Sequence, residues 1–172
     1  MNGFTYLPKL IENARDSERW LMVLNRMMRL LIPFNRPHGV KVLKLEKNLV
    51  LTSAPYQRKN FNHIRSIHAC AIATIGEFSA GLMLLSRLDP TRYRLIMSSL
   101  KVEYLYQARQ DIFAETCLEE TELETGIIEP LKEKSTIYKT MNTLVINSDN
   151  KKIARIKTRW QIKSWDRVKT RT

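Results

Sequence analysis

One stretch of the chain limits its possible folds more than any other. Residues 67–85 read IHACAIATIGEFSAGLMLL, and small or aliphatic side chains fall on every face of the corresponding helical wheel. A surface helix is apolar on one side only, so this pattern predicts a helix that is buried on nearly all sides. The length also reaches the lower limit for a membrane span, but Gly76, Glu77 and Gly81 argue against a span.

Glu77 is the charged residue in the middle of this stretch. A carboxylate in an apolar helix loses several kcal/mol of hydration unless it finds a partner or stays protonated. An isolated ionisable group in such a place is a candidate for a functional role, and we expect burial to raise its pKa.

Length and composition favour one globular domain, since the chain has 172 residues and is 44% hydrophobic. Cys70 and Cys117 lack CxxC spacing and nearby ligand histidines, so we expect reduced, buried thiols in a reducing compartment. The first ten residues lack a basic segment followed by an apolar run, which predicts no signal peptide and a cytoplasmic protein.

The formal net charge is +12, and nine of the 29 basic residues lie between Lys151 and Arg171 with Asp166 as the only acid among them. Such a concentration attracts phosphates, acidic carrier proteins or anionic membrane surfaces, although a solvated strand face with a basic tail explains it equally well. No nucleic-acid-binding motif occurs, so nucleic acid is not an expected partner. The sequence also has no metal-ligand cluster, Ser-His-Asp arrangement or Gly-rich phosphate loop.

Residues 7–32 carry apolar side chains at three- and four-residue steps and predict one or two amphipathic helices on the outside of the domain. Pro33 ends this segment. Three arginines, Arg19, Arg26 and Arg29, make a membrane-surface helix one interpretation. Packing on the chain's own domain or on a second subunit is the favoured one.

The rest of the chain predicts mainly strands. Residues 40–45 and 49–52 predict a hairpin, Ser66 is the expected N-cap of the central helix, and Asp89-Pro90 ends that helix. Further strands are predicted at residues 93–106, 111–118, 136–146 and 152–165, with a strand end and a loop in the acidic run 115–129. The last strand alternates cleanly, and its predicted core face carries Ala154, Ile156, Thr158, Trp160 and Ile162.

This order predicts an α+β domain in which a bent antiparallel sheet wraps one central buried helix, the hotdog arrangement. We assign residues 1–36 to an N-terminal amphipathic helical extension, 37–166 to the hotdog domain and 167–172 to a basic tail.

Asn62, His68 and Glu77 form an N-x5-H-x8-E pattern. It resembles the active-site segment of hotdog-fold acyl-coenzyme A thioesterases of the phenylacetate-pathway and 4-hydroxybenzoyl type. Over about residues 33–165 the chain also resembles a hotdog branch catalogued only as a domain of unknown function and suspected to hold thioesterases.

The resemblance implies a role for each of these positions. Glu77 matches the carboxylate that acts as general base or as nucleophile, and Ala69 matches the residue whose backbone N–H stabilises the oxyanion. Asn62 and His68 match polar residues that place the thioester or the water. The implied substrate is an acyl thioester of coenzyme A or of an acyl carrier protein, with no cofactor beyond the coenzyme A part of the substrate.

The chain departs from the family at two places. The family often has His-Gly-Gly where this chain has His68-Ala69-Cys70, so a methyl group narrows the carbonyl's approach. It also often has a hydroxyl residue four positions after the carboxylate, where this chain has Gly81.

Plainer roles remain open for several polar residues. His68 also fits a helix cap and Asn62 an Asx turn. Ser79 and Thr74 are expected to bond back to helix carbonyls.

Helix geometry constrains the chemistry independently. Eight residues separate Ala69 from Glu77, about 12 Å along the helix axis, so one carbonyl cannot touch both within one helix. If both act on one thioester, the helix start must come from a second subunit packed around a two-fold axis. The sequence thus predicts a homodimer, which could pair further into a tetramer.

The leading functional hypothesis is a thioesterase. The alternative is a non-catalytic acyl-binding or assembly module on the same fold. A hotdog dehydratase is a third option, although its usual helix histidine and carboxylate pattern is not evident.

Overall fold

A computed structural model describes residues 6–168 of the chain. Six strands form one antiparallel sheet in the order β1-β2-β4-β5-β6-β3. The strands are β1 (Lys41–Leu45), β2 (Leu49–Ala54), β3 (Tyr93–Tyr104), β4 (Ile112–Cys117), β5 (Thr136–Asn147) and β6 (Lys152–Ser164). The main helices are α1 (Leu7–Asp16), α2 (Glu18–Leu31) and α3 (Ala69–Arg87).

The apolar stretch forms α3, which contacts five strands, β2 through β6. At Gly76, an added Cβ atom would lie 2.2 Å from Ile156 Cδ1 on β6. The absence of a side chain there lets helix and sheet meet. By length and hydropathy alone α3 could cross a membrane, but 61% of its most apolar window is buried inside the protein. The predicted central helix and its surrounding sheet are therefore confirmed.

A chain of buried hydroxyl groups joins α3 to the sheet. Ser79 is fully buried and donates towards the carbonyls of Val50 (3.4 Å) and Ala114 (3.2 Å) on neighbouring strands. Thr116 donates to Ser79 (3.0 Å) and shares a 2.6 Å hydrogen bond with Thr143. The expectation that Ser79 bonds back to its own helix is wrong, because strand carbonyls lie within its reach. Thr74 does bond back, to the Cys70 carbonyl at 2.8 Å.

The two outer edges of the sheet differ. At the β1 edge, Asn25 of α2 receives the Val42 N–H on Oδ1 (2.7 Å) and donates from Nδ2 to the Val42 carbonyl (2.9 Å). The side-chain amide thus takes the place of a neighbouring strand, which protects that edge. β3 is the other outermost strand, and among residues 6–168 no further strand pairs with it.

The N-terminal helices cover one side of the domain, as predicted. α1 buries Leu7, Leu10, Ile11 and Ala14, and α2 buries Leu24 and Met28. Arg15 of α1 donates to the Ser86 carbonyl at the end of α3 (2.9 Å).

The acidic run contains helix that the sequence did not predict. After β4 the chain continues through α4 (Glu120–Leu123), a wider π-helical turn (Glu124–Ile128) and α5 (Glu129–Glu133). Gly126 and Pro130 within it resemble loop residues, but tertiary contacts hold the segment. Arg87 bonds both Glu120 (2.7 Å) and the Lys47 carbonyl (2.6 Å), and Leu123 and Ile127 are buried. Acidic residues in a first turn also favour a helix.

Two smaller expectations are wrong. Cys70 and Cys117 are exposed, because Cys70 lies on the outward side of α3 and Cys117 ends β4. Ser66 is not the N-cap of α3, since its hydroxyl pairs with the buried Ala108 backbone (3.0 and 3.1 Å). The domain boundaries remain a prediction, and residues 169–172 of the predicted basic tail lie outside the described residues.

Candidate active site

Glu77 lies half-buried on α3, beside the indole of Trp160 on β6. A Cβ atom added at Gly81 would lie 3.0 Å from Trp160 Cη2 and 3.8 Å from Glu77 Oε1, so both groups border the same point. No residue in the range 6–168 forms a hydrogen bond or ion pair with this carboxylate. Burial raises the pKa of Glu77, because desolvation penalises its charged form.

The start of α3 carries the other predicted groups. His68 is the N-cap, and its Nδ1 accepts the Cys70 N–H at 3.0 Å. Because Nδ1 is the acceptor, the proton of a neutral ring is on Nε2. The capping interpretation of His68 therefore holds, and the Nε2–H group takes no part in the cap.

The backbone N–H of Ala69 is the one predicted to bind an oxyanion. It occupies the first helical position, where no intrahelical acceptor exists, and no described group accepts its hydrogen bond. His68, Ala69 and Cys70 are all exposed in the single chain. This end of α3 thus presents an unpaired donor at the positive end of the helix dipole.

Asn62 forms the Asx turn that the sequence analysis gave as its structural role. Its Oδ1 accepts the N–H groups of Ile64 and Ser66, both at 3.0 Å. The side chain shapes the loop before α3, and the role implied by the resemblance remains a prediction.

Two residues near the helix start were not identified from the sequence. The carbonyl of the buried Asn60 accepts the His68 N–H (2.7 Å), and the Tyr104 hydroxyl donates to the Ala69 carbonyl (3.0 Å). Burial, with a smaller effect of Cys70, raises the pKa of Tyr104 and keeps its hydroxyl protonated. Trp160 was predicted only as a core residue. Nothing in the alternation of β6 indicates that its ring lies near Glu77, because their proximity depends on how helix and sheet pack.

One side of α3 is open. Cys70, Ala73, Thr74 and Glu77 follow one another at three- and four-residue steps, and all are exposed or half-buried on a helix otherwise enclosed by the sheet. We call these four residues the open stripe. The Tyr104 contact places the open stripe next to β3, the unpaired edge strand. Exposed apolar side chains of β3, Ile96, Leu100 and Tyr104, extend this surface.

A cleft lies elsewhere, at the opposite end of α3. It has a volume of about 680 Å³ and is lined by Arg87, Arg92, Lys132, Lys134 and Arg167, among others. Arg87 is ten residues from Glu77, about 15 Å along the axis, so this cleft does not contain the carboxylate. No group of three or more potential metal ligands occurs in residues 6–168.

A family model described as Domain of unknown function (DUF4442) matches residues 21–162. The chain belongs to this family. The match confirms the predicted resemblance to an uncharacterised branch. No curated protein sequence matches this DUF4442 chain.

Solved structures share the fold of the DUF4442 chain. A Pseudomonas aeruginosa protein of unknown function, described as a probable thioesterase, superposes with a TM-score of 0.77 at 21% identity over 83% of this chain and 95% of its own. A variant of a Staphylococcus aureus thioesterase gives 0.63 at 17% identity, covering 76% and 98%. A Haemophilus influenzae thioesterase gives 0.67 at 10% identity, covering 84% and 90%. These likenesses confirm the predicted hotdog fold.

Proposed function

We propose that this protein is a thioesterase that hydrolyses an acyl thioester of coenzyme A or of an acyl carrier protein. The observation that carries the proposal is Glu77, a carboxylate without a partner among residues 6–168, half-buried beside an indole on the open stripe. A carboxylate has no evident packing role there, and its raised pKa suits a group that takes up a proton. The thioesterase descriptions of the solved neighbours support the proposal.

In the proposed reaction, Glu77 accepts a proton from a water molecule as that water attacks the thioester carbonyl. The carbonyl oxygen becomes an oxyanion, which the Ala69 N–H stabilises at the positive end of a helix. Collapse of this intermediate breaks the carbon–sulfur bond and releases the thiol, which takes the proton, and the free acid. Direct attack by Glu77 to form a mixed anhydride is the variant of this route in which water enters second.

We propose that the reacting pair comes from two subunits. Glu77 and Ala69 are separated by about 12 Å on their own helix, so the N–H next to Glu77 is contributed by the partner. The open stripe and the exposed β3 edge lie side by side and form one unpaired surface. A two-fold axis across this surface would bring two α3 helices together antiparallel and generate two equal sites.

The alternative is an acyl-binding module without turnover. Ala69 in place of glycine, and Gly81 in place of a hydroxyl residue, are the observations that favour it. Trp160 occupies the space that a side chain at position 81 would enter, so a hydroxyl at this position would need the indole to move.

Thiol release from short, medium and long acyl-coenzyme A substrates separates the two functions. We expect turnover by the wild type and a loss on the order of 10²–10⁴-fold in Glu77→Gln, because the variant cannot accept the proton. Glu12→Gln, on the exposed side of α1, is the matched control and should keep the wild-type rate. Equal rates in Glu77→Gln and Glu12→Gln would remove Glu77 from the mechanism. Binding without thiol release by the wild type would identify the acyl-binding module.

A further inference from the structure

The outer face of α2 is unusually apolar for a surface. Leu24 and Met28 are buried in the domain, Leu21 and Met27 pack half-buried against its core, and several other large apolar side chains of the helix are exposed. The exposed fractions are 45% for Trp20, 65% for Met22, 47% for Val23 and 69% for Leu30. Phe34, in the short turn after the helix, is 65% exposed. Several large apolar side chains exposed on one surface helix make it a candidate interaction site.

Arginines are interleaved with these side chains. Arg19, Arg26 and Arg29 are exposed on the same helix, and at 100° per residue Arg19, Val23, Arg26 and Leu30 share the centre of its outer face. The charge has one sign over a long segment. Between Arg19 and Leu45 the sequence has six Lys or Arg residues and no Asp or Glu.

The arginines make no ion pair with any described residue, whereas other basic residues, such as Arg87 and Lys139, do pair with carboxylates. A protein partner with an apolar patch would account for the exposed leucine and methionine side chains alone. Apolar groups mixed with unpaired arginines on one helix face complement a surface that is anionic outside and hydrocarbon inside.

We propose that the outer face of α2, together with Phe34, binds the surface of anionic phospholipid bilayers. The helix would lie in the plane of the membrane, with Val23 and Leu30 at the acyl chains and the long side chains of the neighbouring Arg19 and Arg26 extending back to the phosphates. Packing of Leu24 and Met28 on the domain fixes the helix in this orientation, so binding requires no rearrangement of the fold. The proposal does not depend on the hydrolase activity.

Vesicle co-sedimentation tests the proposal with the full-length protein. The probes are vesicles of phosphatidylcholine alone and of phosphatidylcholine mixed with phosphatidylglycerol. We expect sedimentation with the mixed vesicles only, a decrease with added salt, and a blue shift of tryptophan emission that is lost in Trp20→Ser.

Two variants separate the charge from the apolar contribution. Removing three charges in Arg19→Ser/Arg26→Ser/Arg29→Ser should weaken binding on the order of 100-fold, because each basic side chain near an anionic surface contributes about fivefold. Val23→Ser/Leu30→Ser should weaken binding with the net charge unchanged. The matched control is Arg155→Ser/Lys157→Ser/Arg159→Ser, which removes the same charge from the exposed face of β6 and should bind like the wild type.

Several outcomes would overturn the proposal. The first is that the wild type fails to sediment with mixed vesicles. The second is that the β6 variant loses as much binding as the α2 arginine variant, which would show that net charge alone explains binding. If Val23→Ser/Leu30→Ser lowers the oligomeric mass in lipid-free buffer and the wild type ignores vesicles, the face is a contact between copies of this chain. Circular dichroism of each variant shows whether it is folded.

Discussion

The surroundings of Glu77 include Trp160, a residue that is distant from it in sequence. The indole on β6 lies against the part of α3 where glycine at position 81 leaves room for it. Burial raises the pKa of Glu77, because desolvation penalises its charged form. Gly81, which departs from the family pattern, thus leaves room for the indole near the proposed base.

The pH dependence of turnover follows from this environment. Burial raises the pKa of Glu77 above its ordinary value of 4.5, and only the deprotonated carboxylate can accept a proton. We expect kcat/KM for thiol release to fall about tenfold per pH unit below the raised pKa. A rate that stays constant from neutral pH down to the ordinary value would contradict the assignment.

Protein stability provides an independent check on burial. A carboxyl whose folded-state pKa is raised favours the folded state most when it is protonated. Its contribution is therefore greatest below the ordinary value of 4.5 and is lost as pH rises through the raised folded pKa. Glu77→Gln should resist urea better than the wild type at neutral pH, and the difference should vanish in acid.

The oxyanion donor can be removed almost alone by Ala69→Pro. Proline lacks the N–H but is well tolerated at the first helical position, and His68 already has the extended backbone (φ −64°, ψ 141°) that a following proline requires. We expect kcat to fall on the order of 10²–10³-fold with little change in stability. Ala69→Ser keeps the N–H and is the control. Similar kcat values for the two variants would exclude this N–H as the donor.

At the level of elements, α3 is held by polar as well as apolar contacts. The hydroxyl chain from Ser79 through Thr116 to Thr143 ties the helix to β4 and β5 within the core. Buried polar networks fix one arrangement of the parts, because each group must keep its partners.

Ser79→Ala tests the value of this network. The change should lower the free energy of unfolding by about 1–2 kcal/mol, because the Thr116 hydroxyl loses its acceptor in the core. Ser86→Ala is the matched control on the same helix. The half-buried Ser86 hydroxyl donates to the Met83 carbonyl of its own helix (2.8 Å), so its loss should change stability by less than about 0.5 kcal/mol. Urea unfolding of both variants measures the difference, and equal effects would show that the network adds nothing.

The two edges of the sheet differ in whether their backbone groups are paired. Asn25 closes the β1 edge with two backbone hydrogen bonds, whereas β3 keeps its outer side unpaired among the described residues. The unpaired backbone groups of an unprotected edge can pair with a strand of another chain, which is consistent with the proposed position of the partner subunit.

For the whole molecule, subunit mixing tests whether the site is shared. Each site is proposed to combine Glu77 of one subunit with Ala69 of the other. Neither Glu77→Gln nor Ala69→Pro dimers should then turn over, but a mixed dimer has one intact site. Dissociating and re-forming an equal mixture should restore about one quarter of the wild-type sites, as expected for random two-fold pairing. Thiol release follows the recovery.

Mixed dimers that form but remain inactive would contradict the shared site. Light scattering confirms that the subunits have exchanged, and a mass of one chain throughout would exclude the proposed dimer.

The sequence by itself determined the central helix, its hairpin and the four later strands, because hydrophobic periodicity reports local geometry directly. It also indicated Glu77, since a charge is conspicuous in an apolar run. The helical segment after β4 was missed because its stability comes from Arg87 and from buried contacts of Leu123 and Ile127, which are distant in sequence.

Only the tertiary structure decided what surrounds these elements. Packing placed Trp160 beside Glu77, turned Ser79 towards strand carbonyls, and left the open stripe next to an unpaired strand. Periodicity shows which side of a helix is apolar, but the identity of the neighbour depends on contacts between residues far apart in the chain. The environment of the carboxylate, and with it the proposed chemistry, depends on such contacts between distant residues.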